Sequence, residues 1–242
     1  MVLSEAKNAP SQEVPNNVIS FSGYDWEIKE TIDAEGPGPN YFYNSFDNIY
    51  RDSFGNLHLK IVKDGKFWKC SEVISKKQFG YGRYIFNIQS RVDLLDMNAV
   101  FGIFLWDPQP NQSYNHEMDI EVSRWGIPDN KNAQFVMQPN TVAGNMKRFN
   151  MPLNGNYSSF MIEWYPDRVF FSAYHGHLNC DNTTAYKNPK NTLIQSWSYK
   201  ESPIPLPSQS NVRFNLWLNE GTAPATSKPQ EVIISCFTFI PL

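Results

Sequence analysis

Residues 116–121 read His-Glu-Met-Asp-Ile-Glu. Glu117, Asp119 and Glu121 alternate with the apolar Met118 and Ile120. In an extended chain residues i, i+2 and i+4 share a face, so the three carboxyls point one way and the two apolar side chains the other. Acids fill 24 of the 242 positions, so an acid at each of three set places is expected about once in 10^3 positions. Like charges in a row repel, and a strand shaped only for solubility would interleave Lys or Thr. The chemistry that suits such a trio is cleavage of a glycosidic bond. One carboxylate attacks the anomeric carbon or activates water, and a second protonates the leaving oxygen. A third between them holds a proton and drives their pKa values apart. On a flat strand the outer pair has Cα atoms about 13 Å apart, whereas a retaining enzyme needs carboxyl groups roughly 5–5.5 Å apart. A bent strand on a concave sheet closes that gap. The spacing alone favours the wider, inverting arrangement.

The elements that must carry the trio are strands. Runs such as NLHLKIV (56–62), GRYIFNIQS (82–90), AVFGIFLW (99–106), SFMIEWY (159–165), RVFFSAY (168–174), RFNLWL (213–218) and VIISCFTFI (232–240) are rich in β-branched and aromatic residues. Turn signals such as KDG, GYG, DPQP and YPD bound them. Apolar residues nowhere recur at i, i+3, i+4, i+7 for three turns, so helices are not expected. An all-β chain of this length is expected to form one two-sheet sandwich or jelly roll. Residues 1–18 are polar and read as a flexible lead-in, with a single domain over 19–242. Residues 177–211 hold Pro189, Pro203, Pro205 and Pro207 and read as a long connection.

Composition narrows the partners. Hydrophobic residues make up 41% and charged residues 19%, with a net charge of -3. This is a globular chain with no basic patch for nucleic acid. No apolar run approaches the length of a membrane span. The first residues lack a basic segment followed by an apolar one, so the chain reads as cytoplasmic or as having lost its signal. Aromatics reach 15%, enough to furnish a core and to line a site for sugar rings. Cys70, Cys180 and Cys236 fit no metal spacing and read as buried thiols or as one disulfide plus a free thiol.

HEMDIE resembles the Glu-x-Asp-x-Glu signature of glycoside hydrolase family 16, which includes lichenases, laminarinases and xyloglucan endotransglycosylases. Further segments follow in the family's order: FGYGRYIFNIQSRV (79–92), AVFGIFLWDP (99–108), YSSFMIEWYPDRVFFSAYHG (157–176), FNLWLNEG (214–221) and the closing EVIISCFTFIPL. The resemblance covers roughly residues 20–242. It implies a β-jelly roll, a concanavalin A-like sandwich of two antiparallel sheets with a sugar cleft on its concave face. It also implies a retaining mechanism with Glu117 as nucleophile, Glu121 as general acid/base and Asp119 orienting Glu117. By position in the motifs, Trp106, Trp217, Asn215, Glu72, Gln138 and Asn40 would bind the sugar. Trp125, just after the acids, would stack at the rim or pack. His116 faces away by strand parity and reads as structural.

The sequence departs from the family at Ser158, at His175-Gly176 and at Ile74, where an Arg would follow the Glu72 position. The implied activity is endo-hydrolysis of a β-linked glycan by a monomer, secreted or periplasmic because polysaccharides lie outside cells. Transglycosylation and a non-catalytic lectin are the alternatives. No cofactor is required for this chemistry. A structural calcium would fit the family, although no ligand cluster in the sequence marks it.

Overall fold

The computed structural model describes residues 17–109, 113–180, 193–201 and 203–242. Sixteen strands run along these residues. They are β1 (Val18–Phe21), β2 (Tyr24–Ile28), β3 (Tyr41–Phe42), β4 (Ile49–Arg51), β5 (Leu57–Asp64), β6 (Phe67–Gln78), β7 (Gly82–Gln89) and β8 (Ala99–Trp106). Then follow β9 (Met118–Val122), β10 (Ala133–Met137), β11 (Met146–Phe149), β12 (Tyr157–Tyr165), β13 (Arg168–His175), β14 (Leu193–Tyr199), β15 (Asn211–Leu218) and β16 (Gln230–Pro241).

A front sheet runs β11-β10-β9-β8-β15-β6-β2-β1 and a back sheet β4-β5-β16-β7-β12-β13-β14. The two are joined at one corner by the β5–β6 hairpin, which turns on Gly65 at φ 58° between Asp64 and Lys66. β5 pairs first with β16 and then, from Val62, with β6. Pairing is antiparallel throughout these sheets; the two-residue β3 lies parallel to β6.

Alternation makes the sandwich. From the front sheet Met118, Ile120, Val122, Phe101, Ile103, Phe214 and Leu216 turn inward, all 1% exposed or less. Phe86, Phe160, Ile162, Trp164 and Phe171 are buried in the same core from the back sheet. Each of these side chains contributes about 1.5–3 kcal/mol by leaving water. Aromatic contacts bridge the layers: Phe86 meets Phe214 at 5.6 Å and Phe135 stacks on Phe171 at 5.5 Å. Most of the aromatic excess is spent here.

Two expectations change, and the cysteine alternatives resolve. Residues 1–16 of the expected lead-in lie outside the described residues, but Val18 already opens β1, paired with Glu27 of β2. The connection expected over 177–211 contains β14, which pairs with β13 and stacks Trp197 on Phe171 at 5.5 Å. An edge strand has one neighbour, so the weak alternation of LIQSWSY suffices. Of the cysteines, Cys180 and Cys236 form a disulfide and Cys70 is a buried free thiol.

Candidate active site

The acid row begins one residue before its strand. Tyr114, Asn115 and His116 take left-handed backbone angles, φ 49°, 53° and 48°, and deliver the chain to Glu117. The Glu117 carbonyl accepts from Gln138 N at 3.1 Å, which extends the β9–β10 ladder by one rung. From there Met118, Ile120 and Val122 lock β9 to the core, and parity turns Asp119 and Glu121 to the opposite face.

Register then assembles the rest of that face. Glu121 stands beside Gln134 on one side and Gly102 on the other; Gly102 pairs with Asn215, and Asn215 with Glu72. In the next row Asp119 pairs with Phe104, Phe104 with Arg213, and Arg213 with Ile74. Glu117, Asp119, Glu121, Trp106, Glu72, Asn215 and Trp217 consequently line one cavity of about 440 Å³, with Lys29, Phe104 and Arg213.

Gln138 stands beside Glu117, just past the end of β10. Its amide donates to Asp119 Oδ2 at 3.0 Å, and with Glu117 and His116 it lines an adjoining cavity of about 790 Å³. Trp125, held by a left-handed turn at φ 55°, packs edge-on against Trp217 at 5.9 Å and supports the cleft from its rim. Asn40 is placed differently from the sequence expectation. It is 3% exposed, its amide donates to the Pro37 and Leu218 carbonyls at 2.8 Å, and its oxygen accepts from the Cys70 thiol. It is spent on backbone and pins the loop carrying Gly36 and Pro37, rather than facing the cavity. His116 lies on the wall of the larger cavity.

Several residues in or beside the cleft escaped the sequence reading. Arg213 shares the face of Asn215 and Trp217 by strand alternation, which was a usable signal. Its guanidinium bonds Glu72 at 3.4 Å and lies over the Trp106 ring at 5.1 Å. The Arg missing at position 74 is thus matched by one directly opposite on the neighbouring strand. Lys29 reaches Glu72 at 3.5 Å. Gln134 donates to Glu121 Oε2 at 2.6 Å. At Gly102 a side chain would collide with Asn215 Oδ1; a glycine inside a strand run is the sequence mark of such close approach.

The electrostatics fit acid/base work. Burial pushes Glu117 up to about 7; Asp119's hydrogen bond and the Arg213 charge pull it down, while Glu121 and Glu72 push it up. Burial also raises Glu121 to about 7, opposed by the Gln134 amide and the Arg148 charge. Asp119, 3% exposed, is driven well above the carboxylate range by burial and then by Glu117 and Glu121. Near neutral pH the trio therefore holds protons, which is what a site needing one ionised and one protonated carboxyl requires. The Asn215 Oδ1 and Gln134 Oε1 atoms are buried without a hydrogen-bond partner among the described residues. No group of three or more His, Cys, Asp or Glu among the described residues is placed to hold a metal ion. No helix there is long and apolar enough to cross a membrane.

Solved structures supply the comparison. A Bacillus licheniformis β-glucanase superposes with a TM-score of 0.65 at 16% identity, covering 96% of each chain. The chain has the fold of a β-glucanase. A prokaryotic β-1,3-1,4-glucanase (lichenase) from a mouse hindgut metagenome gives 0.65 at 16% identity, covering 95% of this chain and 96% of that one. A Mycobacterium tuberculosis antigen described as a pseudo β-1,3-glucanase gives 0.64 at 18% identity, covering 90% and 91%. No family model and no curated protein matches the sequence. The two-sheet jelly roll expected from the sequence is therefore the fold observed.

Proposed function

We propose that this protein is a divergent family-16 glycoside hydrolase that cleaves internal bonds of a β-linked polysaccharide, a β-1,3/1,4-glucan or related glycan, with retention. The observation that carries this is the convergence of Glu117, Asp119 and Glu121 on one cavity beside Trp106 and Trp217. Ionised Glu117 attacks the anomeric carbon as the glycosidic C–O bond breaks, and protonated Glu121 gives its proton to the leaving oxygen. Glu121, now a carboxylate, takes a proton from water, which attacks the anomeric carbon and frees Glu117. Asp119, fixed by Gln138, shares a hydrogen bond with Glu117 and orients it. Trp106 and Trp217 offer faces for sugar rings, and Glu72 and Asn215 offer acceptors for hydroxyls.

Fold alone does not decide catalysis, and one structure sharing this fold is described as a pseudo-glucanase. The intact trio and its raised carboxyls favour an active enzyme over a lectin. The Cys180–Cys236 disulfide supports an extracellular or periplasmic setting. The test is a panel of β-glucans and algal galactans with product sizing, plus NMR of the first anomer released. Retention and oligosaccharide products are expected. Inversion would exclude double displacement, and binding without cleavage anywhere in the panel would favour the lectin.

A further inference from the structure

We propose that Arg213 is a positioning residue for Glu117: clamped against Glu72 and the ring of Trp106, it supplies the fixed positive charge that Glu117 faces in the cleft. This rests on the assignment of Glu117 as nucleophile. Arg213 and Glu117 line the same cavity. The guanidinium is held in three ways that use different parts of it. Its Nε donates to Asn211 Oδ1 at 2.8 Å, its fork meets Glu72 Oε1 at 3.4 Å, and its face lies 5.1 Å from the Trp106 ring centre and 5.9 Å from that of Phe104. A side chain fixed at its edge, fork and face cannot swing out to water, so its charge stays where the strand register puts it.

The charged groups around Glu117 make that charge count. Asp119 and Glu121 follow it on β9, Glu72 stands on β6 and Arg213 on β15; His116 precedes it in the chain, and Glu201 shares the larger cavity with it. The second cleft cation, Lys29, lies at 3.5 Å from Glu72 and at the far side of that residue's pair with Arg213. Arg213 pulls the Glu117 carboxyl down while Glu121 and Glu72 push it up. Without Arg213, Glu121 and Glu72 would push up a nucleophile that must be ionised to attack, with the Asp119 hydrogen bond left to oppose them.

The register also supplies the control. Ile74 pairs with Arg213 across β6 and β15, so an Arg at 74 returns a guanidinium to the same face from the adjacent strand. The experiment is a pH titration of ¹³C-carboxyl-labelled glutamates by NMR, with Glu117→Gln assigning the resonance. Arg213→Met is expected to raise the Glu117 midpoint by about one unit. Arg213→Lys keeps the charge and shifts it less, and Ile74→Arg with Arg213→Met returns it toward wild type. In kinetics the acidic limb of kcat/KM moves up by the same amount. An unchanged midpoint in Arg213→Met overturns the proposal. So does a double variant that behaves as Arg213→Met, because packing loss and not charge would then be the cause. The NMR readout needs no substrate, so it gives its answer even if no glycan is cleaved.

Discussion

Burial pushes both Glu117 and Glu121 up to about 7, and at the scale of single residues this has two consequences. Catalysis needs the form with one carboxyl ionised and the other protonated, which is most populated between the two values. The pH profile of kcat/KM is therefore expected to be a narrow bell centred near 7. Glu117→Gln and Glu121→Gln should each lower kcat by about 10^3 or more, read as reducing-sugar release from the glycan cleaved by wild type. The second consequence concerns stability. A carboxyl whose folded value is raised from 4.5 to about 7 binds more protons folded than unfolded across that window. Its burial therefore costs nothing in stability below the unfolded value and an increasing amount as pH climbs through the folded one. Glu121→Gln should leave Tm at pH 4 nearly unchanged and raise it at pH 8. A variant melting lower than wild type at pH 8 would contradict that sign.

The strand is the scale at which the site is aligned. β9 and the residue before it present three acids on one face only because Met118, Ile120 and Val122 are buried behind them, and a one-residue slip would send the acids into the core. Gly102→Ala tests the close approach of β8 and β15. The added methyl collides with Asn215 Oδ1, at an expected cost of about 1–3 kcal/mol. It should raise KM more than it lowers kcat, measured by Michaelis kinetics alongside thermal melting. Asn40→Ala acts on a loop instead. It frees the Pro37 and Leu218 carbonyls and the Cys70 thiol at once, for about 1–3 kcal/mol, and loosens the Gly36–Pro37 wall of the cleft.

Across the whole molecule the disulfide and the cleft lie on different layers. Cys236 is in β16 of the back sheet, and Thr238, two residues on, donates to the Cys180 carbonyl at 2.6 Å. There Leu178, Ile85, Met161 and Tyr174 form a second small cluster. Bridging residues separated by 56 positions constrains the unfolded chain by about 4 kcal/mol in the loop-entropy description. Cys180→Ser with Cys236→Ser should lower Tm markedly while leaving kcat and the pH profile of the cleft unchanged. A kinetic change on reduction would mean that the back layer is coupled to the acids.

Local rules sufficed for much of this. Period-two alternation named the sandwich and put the acids on one face and Met118 and Ile120 on the other; the resemblance of the flanking segments to family 16 implied Trp106, Glu72, Asn215 and Trp217, which line the same cavity as the acids. Alternation is a property of neighbouring residues, so it can be read from the chain alone. What it cannot carry is which strands pair and in what register, since backbone hydrogen bonds between strands are the same for any side chains. Only the folded sheets brought Arg213 opposite Ile74 and over Trp106, set Gln134 beside Glu121, and turned Asn40 into a loop anchor. The raised carboxyls belong to that level too. A carboxyl's pKa is set by the water it loses and the charges it meets, and both come from residues far away along the chain.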